Sequence, residues 1–336
     1  MSDWQSPNSG LPGEEQGEQS KKILAGFQPG ERIGRRYEVL KVLGRGGMGV
    51  VYLVEDRKTK RHVALKTLLP EYSERARAVK RFEREVDTAR KLNHPCIVKI
   101  YDAWRVENLL LYTMEYVEGR SLRDLLRKRE QFGLGSTVRI LSMVCHALEH
   151  AHAIMVHRDI SPDNVMVQPN GKVKLLDFGL AKQVDGQQGF TMIGANLGKI
   201  DYNAPEQQAN ATEVDGRADL YSLGVMFYEM LTGQVPRGRA TKPLSELRPD
   251  LPWECETFLA RAMARDREDR FPDARAFRHG LRDLYQIYES RRDQAAPDHE
   301  DAEENDGRSF RPFLTGRMFW NRMVRWLRIR RGKSTV

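Results

Sequence analysis

Four glycines set between two strand patterns, Gly44, Gly46, Gly47 and Gly49, constrain this chain more than any other feature. Residues 37–42 alternate as a strand does, and residues 50–55 and 62–67 read as two further strands joined by a polar turn at 56–60. A glycine-rich turn lets backbone N–H groups approach phosphate oxygens with no Cβ in the way. Dinucleotide-binding folds use the same Gly-x-Gly-x-x-Gly spacing, but there a helix follows the glycines; here the next element is a strand. Two readings stay open at this point, a plain glycine-rich hairpin and a hairpin that covers phosphates.

The rest of the chain divides by texture. Val79, Phe82, Val86 and Ala89 fall close to helical spacing within residues 75–92, and Pro95 marks the stop. Strand patterns return at 97–104 and 109–114. Beyond Gly119 the chain is mostly helical. Ser121 with Asp124 forms a capping box ahead of Leu125 and Leu126. Leu141, Val144, Cys145 and Leu148 give one buried stripe, Leu220, Leu223, Phe227 and Leu231 a second, and Phe277, Leu281, Leu284 and Tyr288 a third. A strand-rich part therefore precedes a helix-rich part.

Composition decides three points. Hydrophobic residues at 40% and charged residues at 30% exclude a wholly disordered or collagen-like chain. The longest apolar run is residues 50–54, far short of the ~20 residues of a membrane span, and no secretory leader is visible. Cys96, Cys145 and Cys255 are too few and too scattered for a disulfide framework or a zinc site, which suits free buried thiols in a reducing cytoplasm. The net charge of +8 suggests nucleic acid until its distribution is read. Residues 308–336 carry eight arginines, one lysine and no acid, so the body of the chain is close to neutral and nucleic acid is disfavoured as a partner.

The chemistry-bearing residues come in a fixed order. Lys66 lies in the apolar strand Val63-Ala64-Leu65-Lys66, and Glu85 on the next helix could pair with it. His157-Arg158-Asp159 precedes Asn164; Asp177-Phe178-Gly179 and then Ala204-Pro205-Glu206 follow. Each triplet alone is common. In this order, with GRGGMGVVYLVED, LNHPCIVKIYD, HRDISPDN, DFGLAK and APEQ, the sequence resembles the eukaryotic-like (Hanks-type) serine/threonine protein kinases of bacteria over residues 37–288.

The resemblance implies an α+β, bilobal fold: a small β-rich N-lobe with one helix (about 37–117) and a larger helical C-lobe (about 118–288). Residues 1–36 are expected to be disordered, 289–307 an acidic linker and 308–336 a basic amphipathic tail. It further implies ATP and Mg²⁺, with Mn²⁺ as a substitute. Gly44, Gly46, Gly47 and Gly49 would cover the phosphates, and Lys66, paired with Glu85, would hold them. Leu43, Val51, Ala64 and Met166 would sandwich adenine, with Met114 as gatekeeper and the Glu115 and Val117 backbones at the hinge. Asp159 would accept the substrate proton; Asn164 and Asp177 would hold the metal. Glu206 with Arg270 would form a structural ion pair. Asp219 would tie down the catalytic loop, and Ala89, Ile100, His157 and Phe178 would stack between the lobes.

Three positions depart from the family pattern. Ser161 stands where a lysine normally touches the γ-phosphate, and Lys199 stands where the family carries threonine. An exchange is expected, with Lys199 supplying the missing ammonium. Residues 236–252 leave little room for the helix the family fits there. Arg158 and Thr191 point to autophosphorylation of the activation segment, between two copies of the chain. Residues 317–328 place Phe319, Trp320, Met323, Val324, Trp326 and Leu327 on one helical arc and arginines on the other. Such a tail suits an anionic membrane surface or a partner protein. The expected activity is phosphoryl transfer to Ser/Thr of protein substrates, in the cytoplasm or at the inner face of its membrane. The alternative is a pseudokinase, a module that binds ATP or partners.

Overall fold

The structure, a computed structural model, describes residues 26–46, 49–68, 76–106, 109–129, 131–178, 200–209 and 214–295. The chain divides into two compact units, Met1–Tyr285 and Gln286–Val336. The strand-rich part, and the helix-rich part as far as Tyr285, belong to the first.

Six strands make one antiparallel sheet: β1 (Arg32–Ile33), β2 (Tyr37–Gly46), β3 (Gly49–Asp56), β4 (Arg61–Leu68), β5 (Ile100–Val106) and β6 (Leu109–Glu115), in the order β1-β2-β3-β4-β6-β5. Period-two alternation sends Val63 and Leu65 to one face and Ala64 and Leu68 to the other. The Ala64 face is covered by helix α1 (Ala76–Arg90), whose Val79, Phe82, Val86 and Ala89 are all buried. Burying the larger of these side chains contributes about 1.5–3 kcal/mol each, which holds a helix that has no acidic residue in its first turn.

The opposite face corrects one expectation. Residues 26–36 are not disordered. Phe27 is fully buried, its N–H donates to the Tyr52 hydroxyl (3.2 Å), and the two rings meet edge to face at 5.8 Å. Gly30 donates to the Val39 carbonyl and Val39 to that of Glu31, both at 2.8 Å, which extends the pairing of β1 with β2. Ile33, Tyr37 and Trp104 complete the layer, the last two stacked at 5.3 Å. The average polarity of the first thirty residues hides these anchors; without them one face of the sheet would meet water. The part of the segment before residue 26 lies outside the described residues.

Asp56 builds the turn between β3 and β4. Its carboxylate accepts from the Lys58 N–H and the Thr59 hydroxyl, and from Arg36 Nε and Nη2, both at 2.9 Å. The Arg36 guanidinium holds Asp56 well below the usual carboxylate range, at about 2.

The helix-rich part contains β7 (Arg120–Ser121), α2 (Leu122–Arg129), α3 (Leu134–Ala151), β8 (Val165–Val167), β9 (Val173–Leu175), α4 (Pro205–Ala209), α5 (Arg217–Thr232), α6 (Leu244–Leu247), α7 (Glu254–Ala262) and α8 (Ala274–Ala295). The capping box forms: Ser121 Oγ accepts from the Asp124 N–H (3.0 Å) and donates to Asp124 Oδ2 (2.7 Å). Every residue of helix α5 from Ala218 to Leu231 is buried except the partly buried Tyr221, so the predicted stripe widens into a central helix. Gly224 lets it approach α7: a Cβ there would stand 2.9 Å from the Ala262 Cβ. Phe258 then packs against Phe227, Phe271 and Phe277 at 4.9–5.2 Å. The short stretch 236–252 folds as a 3-10 turn and the single helical turn α6. Helix α8 continues to Ala295, so residues 289–295 are helix and not linker. Cys145 and Cys255 are buried, Cys96 is half-buried, and none of the three is in a disulfide. Among the described residues no helix is long and apolar enough to cross a membrane.

The two parts are joined at residues 96–98. Val98 donates to the Leu175 carbonyl (3.0 Å) and Leu175 to that of Cys96 (2.8 Å). Lys174 Nζ reaches the carbonyl of Ile97 (3.2 Å) and Glu115 Oε2 (2.7 Å). His94 stacks on His146 and His150 of α3, at 5.7 and 5.4 Å between ring centroids.

Candidate active site

The glycine hairpin closes at Gly46↔Gly49. Gly49 has φ +149, and a Cβ on it would stand 1.7 Å from the Thr67 carbonyl oxygen, so only glycine fits. Gly44 and Gly46 have nothing within 4 Å of where a Cβ would point, which leaves their backbones open to a ligand. Gly47 lies outside the described residues.

Val51 pairs with Lys66 across β3 and β4. Val51, Ala64, Met114, Val117 and Met166 share one apolar cluster, so five of the residues expected around adenine come together. Leu43 stands apart, 39% exposed on β2. Glu115 takes its place at the end of β6, where its N–H donates to the Lys99 carbonyl (2.8 Å).

Lys66 corrects a second expectation. Its ion pair in this structure is with Asp177, Nζ to Oδ2 at 2.5 Å, and not with Glu85. Lys66 and Tyr112 are register partners on β4 and β6, and both reach Asp177, the Tyr112 hydroxyl donating to Oδ1 at 2.8 Å. Glu85 is half-buried on α1.

Asp159 is 9% exposed. Asn164 Nδ2 donates to its carboxylate (2.9 Å) and to its carbonyl (2.7 Å). The loop that carries Asp159 is held by one buried carboxylate. Asp219 accepts from the N–H groups of His157 (2.9 Å) and Arg158 (2.8 Å), and His152 Nε2 lies 2.8 Å from it. These bonds fix Arg158 at φ +63, a conformation that few non-glycine residues adopt. His157 Nε2 bonds the Leu176 carbonyl (2.8 Å), and its ring packs on Phe178 at 4.5 Å. Burial lowers the His157 pKa, with Asp219 and Asp159 opposing, so the ring is a neutral packing group. Ala89, Ile100 and Phe178 line one small cavity, which places the expected stack between the two parts.

Arg270 closes on Glu206 as expected. Sequence reasoning missed several supports. Gln207 accepts from the Ala204 N–H and donates to the Arg158 carbonyl, both at 3.0 Å. Arg123 bonds Glu229 (2.5 Å) and the Tyr202 hydroxyl (2.6 Å), and Tyr202 in turn donates to Glu229. The sequence marks Tyr112 only as a strand residue. Apart from the local Gln207–Ala204 bond, no spacing signals these contacts, because each joins residues far apart in sequence. Lys199 and Thr191 lie outside the described residues.

A family description, the protein kinase domain, matches residues 37–279. The serine/threonine-protein kinase PrkC of Bacillus subtilis is 34% identical over 73% of this chain and 40% of its own length. The serine/threonine-protein kinase pkn3 of Myxococcus xanthus is 36% identical over 80% of this chain and 53% of its own. The chain thus spans about half or less of these curated relatives. The crystal structure of the PknI kinase domain of Mycobacterium tuberculosis superposes with a TM-score of 0.65 at 31% identity, covering 78% of this chain and 100% of that one.

Proposed function

The chain belongs to the protein kinase family, in its bacterial serine/threonine branch, and from that premise we propose that it moves the γ-phosphate of ATP to serine or threonine hydroxyls of proteins. What supports this reading is that Lys66 bonds Asp177 and Asn164 bonds Asp159, that the Leu176 N–H beside Asp177 donates to the Asn164 carbonyl at 2.8 Å, and that Lys66 is the register partner of Val51 on the glycine hairpin.

The residues fit a nucleotide with a hard divalent cation. Asp177 and Asn164 offer oxygen ligands, the donor type that Mg²⁺ and Mn²⁺ take. Both side-chain hydrogen bonds of Asn164 use Nδ2, so Oδ1 is the atom it would offer to a metal. Bound Mg²⁺ would neutralise charge across the β- and γ-phosphate oxygens. The chain's own residues do the rest. The open backbones of Gly44 and Gly46 meet phosphate oxygens, and Lys66 brings an ammonium to them. Val51, Ala64, Met114, Val117 and Met166 exclude water around the base. Asn164 pins one oxygen of Asp159, and the carboxylate takes the proton of the incoming hydroxyl. Alignment and charge stabilisation supply most of what phosphoryl transfer needs.

Purified protein with Mg²⁺ and labelled ATP tests the reading. Label on serine or threonine of the chain or of a generic acceptor protein, reduced roughly 10²–10⁴-fold or more in Asp159→Asn, is expected. Nucleotide binding without transfer would leave the pseudokinase; neither binding nor transfer would end the kinase reading.

Four finer points belong to the same proposal. Lys199 replaces the catalytic-loop lysine; in support, Ser161 is 1% exposed and its Oγ has no hydrogen-bond partner among the described residues, so nothing polar on Ser161 reaches outward. Lys199→Ala should lower turnover with little change in ATP affinity. Thr191 is autophosphorylated between two copies of the chain; in support, Arg158 Nε is buried without a hydrogen-bond partner among the described residues, as an anion-accepting arginine would be before the anion arrives. Mass spectrometry of wild type against Asp159→Asn reads that phosphate. The protein works in the cytoplasm. Residues 308–336, which lie outside the described residues, attach it to an anionic membrane surface or to a partner protein, and liposome co-sedimentation with and without them separates the two.

A further inference from the structure

We propose that the Tyr112 hydroxyl is a positioning group for Asp177, a tether on the metal-binding side chain carried by the N-terminal sheet itself. The proposal rests on the reading of Asp177 as a metal ligand.

The tether follows from strand register. Lys66 and Tyr112 are direct partners on β4 and β6, so their side chains leave the sheet on the same face. They arrive at one carboxylate from two sides, Lys66 at Oδ2 (2.5 Å) and Tyr112 at Oδ1 (2.8 Å). Each carboxylate oxygen has two lone pairs, so a protein donor on each still leaves room for a cation. The two donors fix the plane of the carboxylate and leave the cation nothing to organise.

Three further observations bear on it. Tyr112 is 1% exposed, and its hydroxyl donates to Asp177 Oδ1 at 2.8 Å from within the core. The cavity beside the pair holds only about 10 Å³ and is bounded by Val98, Ile100, Met114 and Phe178. That is at the lower limit for one water, and apart from Tyr112 and Asp177 themselves the lining side chains are apolar, so solvent has little room to take the hydroxyl's place. Asp177 itself sits at φ +44, a backbone conformation that persists only where its surroundings over-determine it. Lys66 and Tyr112 on the carboxylate, with Phe178 packed on His157 at 4.5 Å, are those surroundings.

Lys66 cannot be the whole tether, because its ammonium is also needed by the nucleotide phosphates. Tyr112 has no other assignment in the cleft. It therefore holds Asp177 in place while Lys66 turns to the phosphates.

Tyr112→Phe in the full chain is the test, with Tyr112→Met as a second variant that also lacks the hydroxyl. ADP binding is measured by calorimetry with Mn²⁺ and, separately, with EDTA. The expected result is a roughly tenfold or greater loss of the metal-dependent gain in ADP affinity, the worth of a hydrogen bond to a charged group. Affinity in EDTA should stay unchanged. The half-saturating Mg²⁺ concentration for turnover should rise in step, and saturating Mg²⁺ should restore kcat, which no loss of folding would allow. Wild-type metal dependence in both variants would overturn the inference while leaving the kinase reading intact. A wild-type protein whose ADP affinity ignores metal would overturn the reading of Asp177 and this inference with it.

Discussion

Arg270 closes on Glu206 with both ends of its guanidinium, at 2.6 and 2.8 Å, and its side chain is wholly buried. Its remaining donors go to the carbonyls of Ala264, Arg265 and Arg217. The pair locks the segment that precedes α5 to the loop between α7 and α8. Burial alone would raise the Glu206 pKa, yet the Arg270 hydrogen bonds hold it below the usual carboxylate range. Arg270→Met leaves Glu206 uncompensated and the three carbonyls without this donor. A loss of about 3–5 kcal/mol is expected, read from the midpoint of urea unfolding. Arg270→Lys should recover little of it, because an ammonium cannot serve two carboxylate oxygens and three carbonyls at once.

Phe27 gives a prediction about the chain's N-terminal boundary. Because it is fully buried against Tyr52, Phe27→Ala should cost about 3–5 kcal/mol. A chain shortened to begin at residue 37 should lose at least as much, since it also removes Ile33 and the pairing of β1 with β2. Equal unfolding midpoints for the shortened and full chains would show that residues 26–36 contribute nothing.

The glycines of the hairpin separate folding from ligand contact. Gly49→Ala drives a Cβ into the Thr67 carbonyl, so it should destabilise the protein. Gly44→Ala and Gly46→Ala meet open space and should leave stability within about 0.5 kcal/mol of wild type. The same two substitutions should weaken ATP binding, because a methyl then stands where phosphate oxygens approach. Thermal unfolding and nucleotide titration on the three variants check both halves.

Acid sensitivity should begin near neutrality. Burial lowers the pKa of His157 and of His146, and Arg278 adds to the effect at His146. An imidazole depressed in the folded state binds its proton more readily when unfolded. As pH falls through about 6.5, the ordinary imidazole value, the unfolded chain takes up the protons first and stability drops. Urea midpoints at pH 7.5 and 5.5 should differ in that direction, and His146→Gln should flatten part of the slope. Asp56 works in a lower window: held at about 2, it contributes stability above its unfolded value of 3.8 and loses it as pH falls toward 2.

The Tyr202 hydroxyl donates to the buried Glu229 and accepts from Arg123. Tyr202→Phe removes a donor to a buried carboxylate without changing the packing volume. About 1.5–3 kcal/mol should be lost. The change should be far smaller in a background that already carries Glu229→Gln together with Arg123→Met, and a double-mutant cycle reads that difference.

Much of this protein was legible in its residues. Alternation at 37–42, 50–55 and 62–67 marked the strands, and the spacing of Val79, Phe82, Val86 and Ala89 marked α1, because periodicity is a local property that burial on one side imposes. Asp159, Asn164 and Asp177 were legible for a different reason: their chemistry forces fixed residue types into short runs. Composition misled at the N-terminus, where a polar average hid Phe27 and Ile33, and at residues 289–295, where charge read as linker turned out to be helix.

What the residues alone determined was therefore the list of elements and the chemistry carried within each. Which side chains meet was decided only by tertiary structure. That Lys66 closes on Asp177 and not on Glu85, that Tyr112 joins it there, and that Arg123 finds Glu229 all depend on strand register and on how helices pack across more than sixty residues of intervening chain. Such contacts leave no period and no motif in the sequence. They form because a buried charge or hydroxyl must find a partner, and folding determines which partner is within reach.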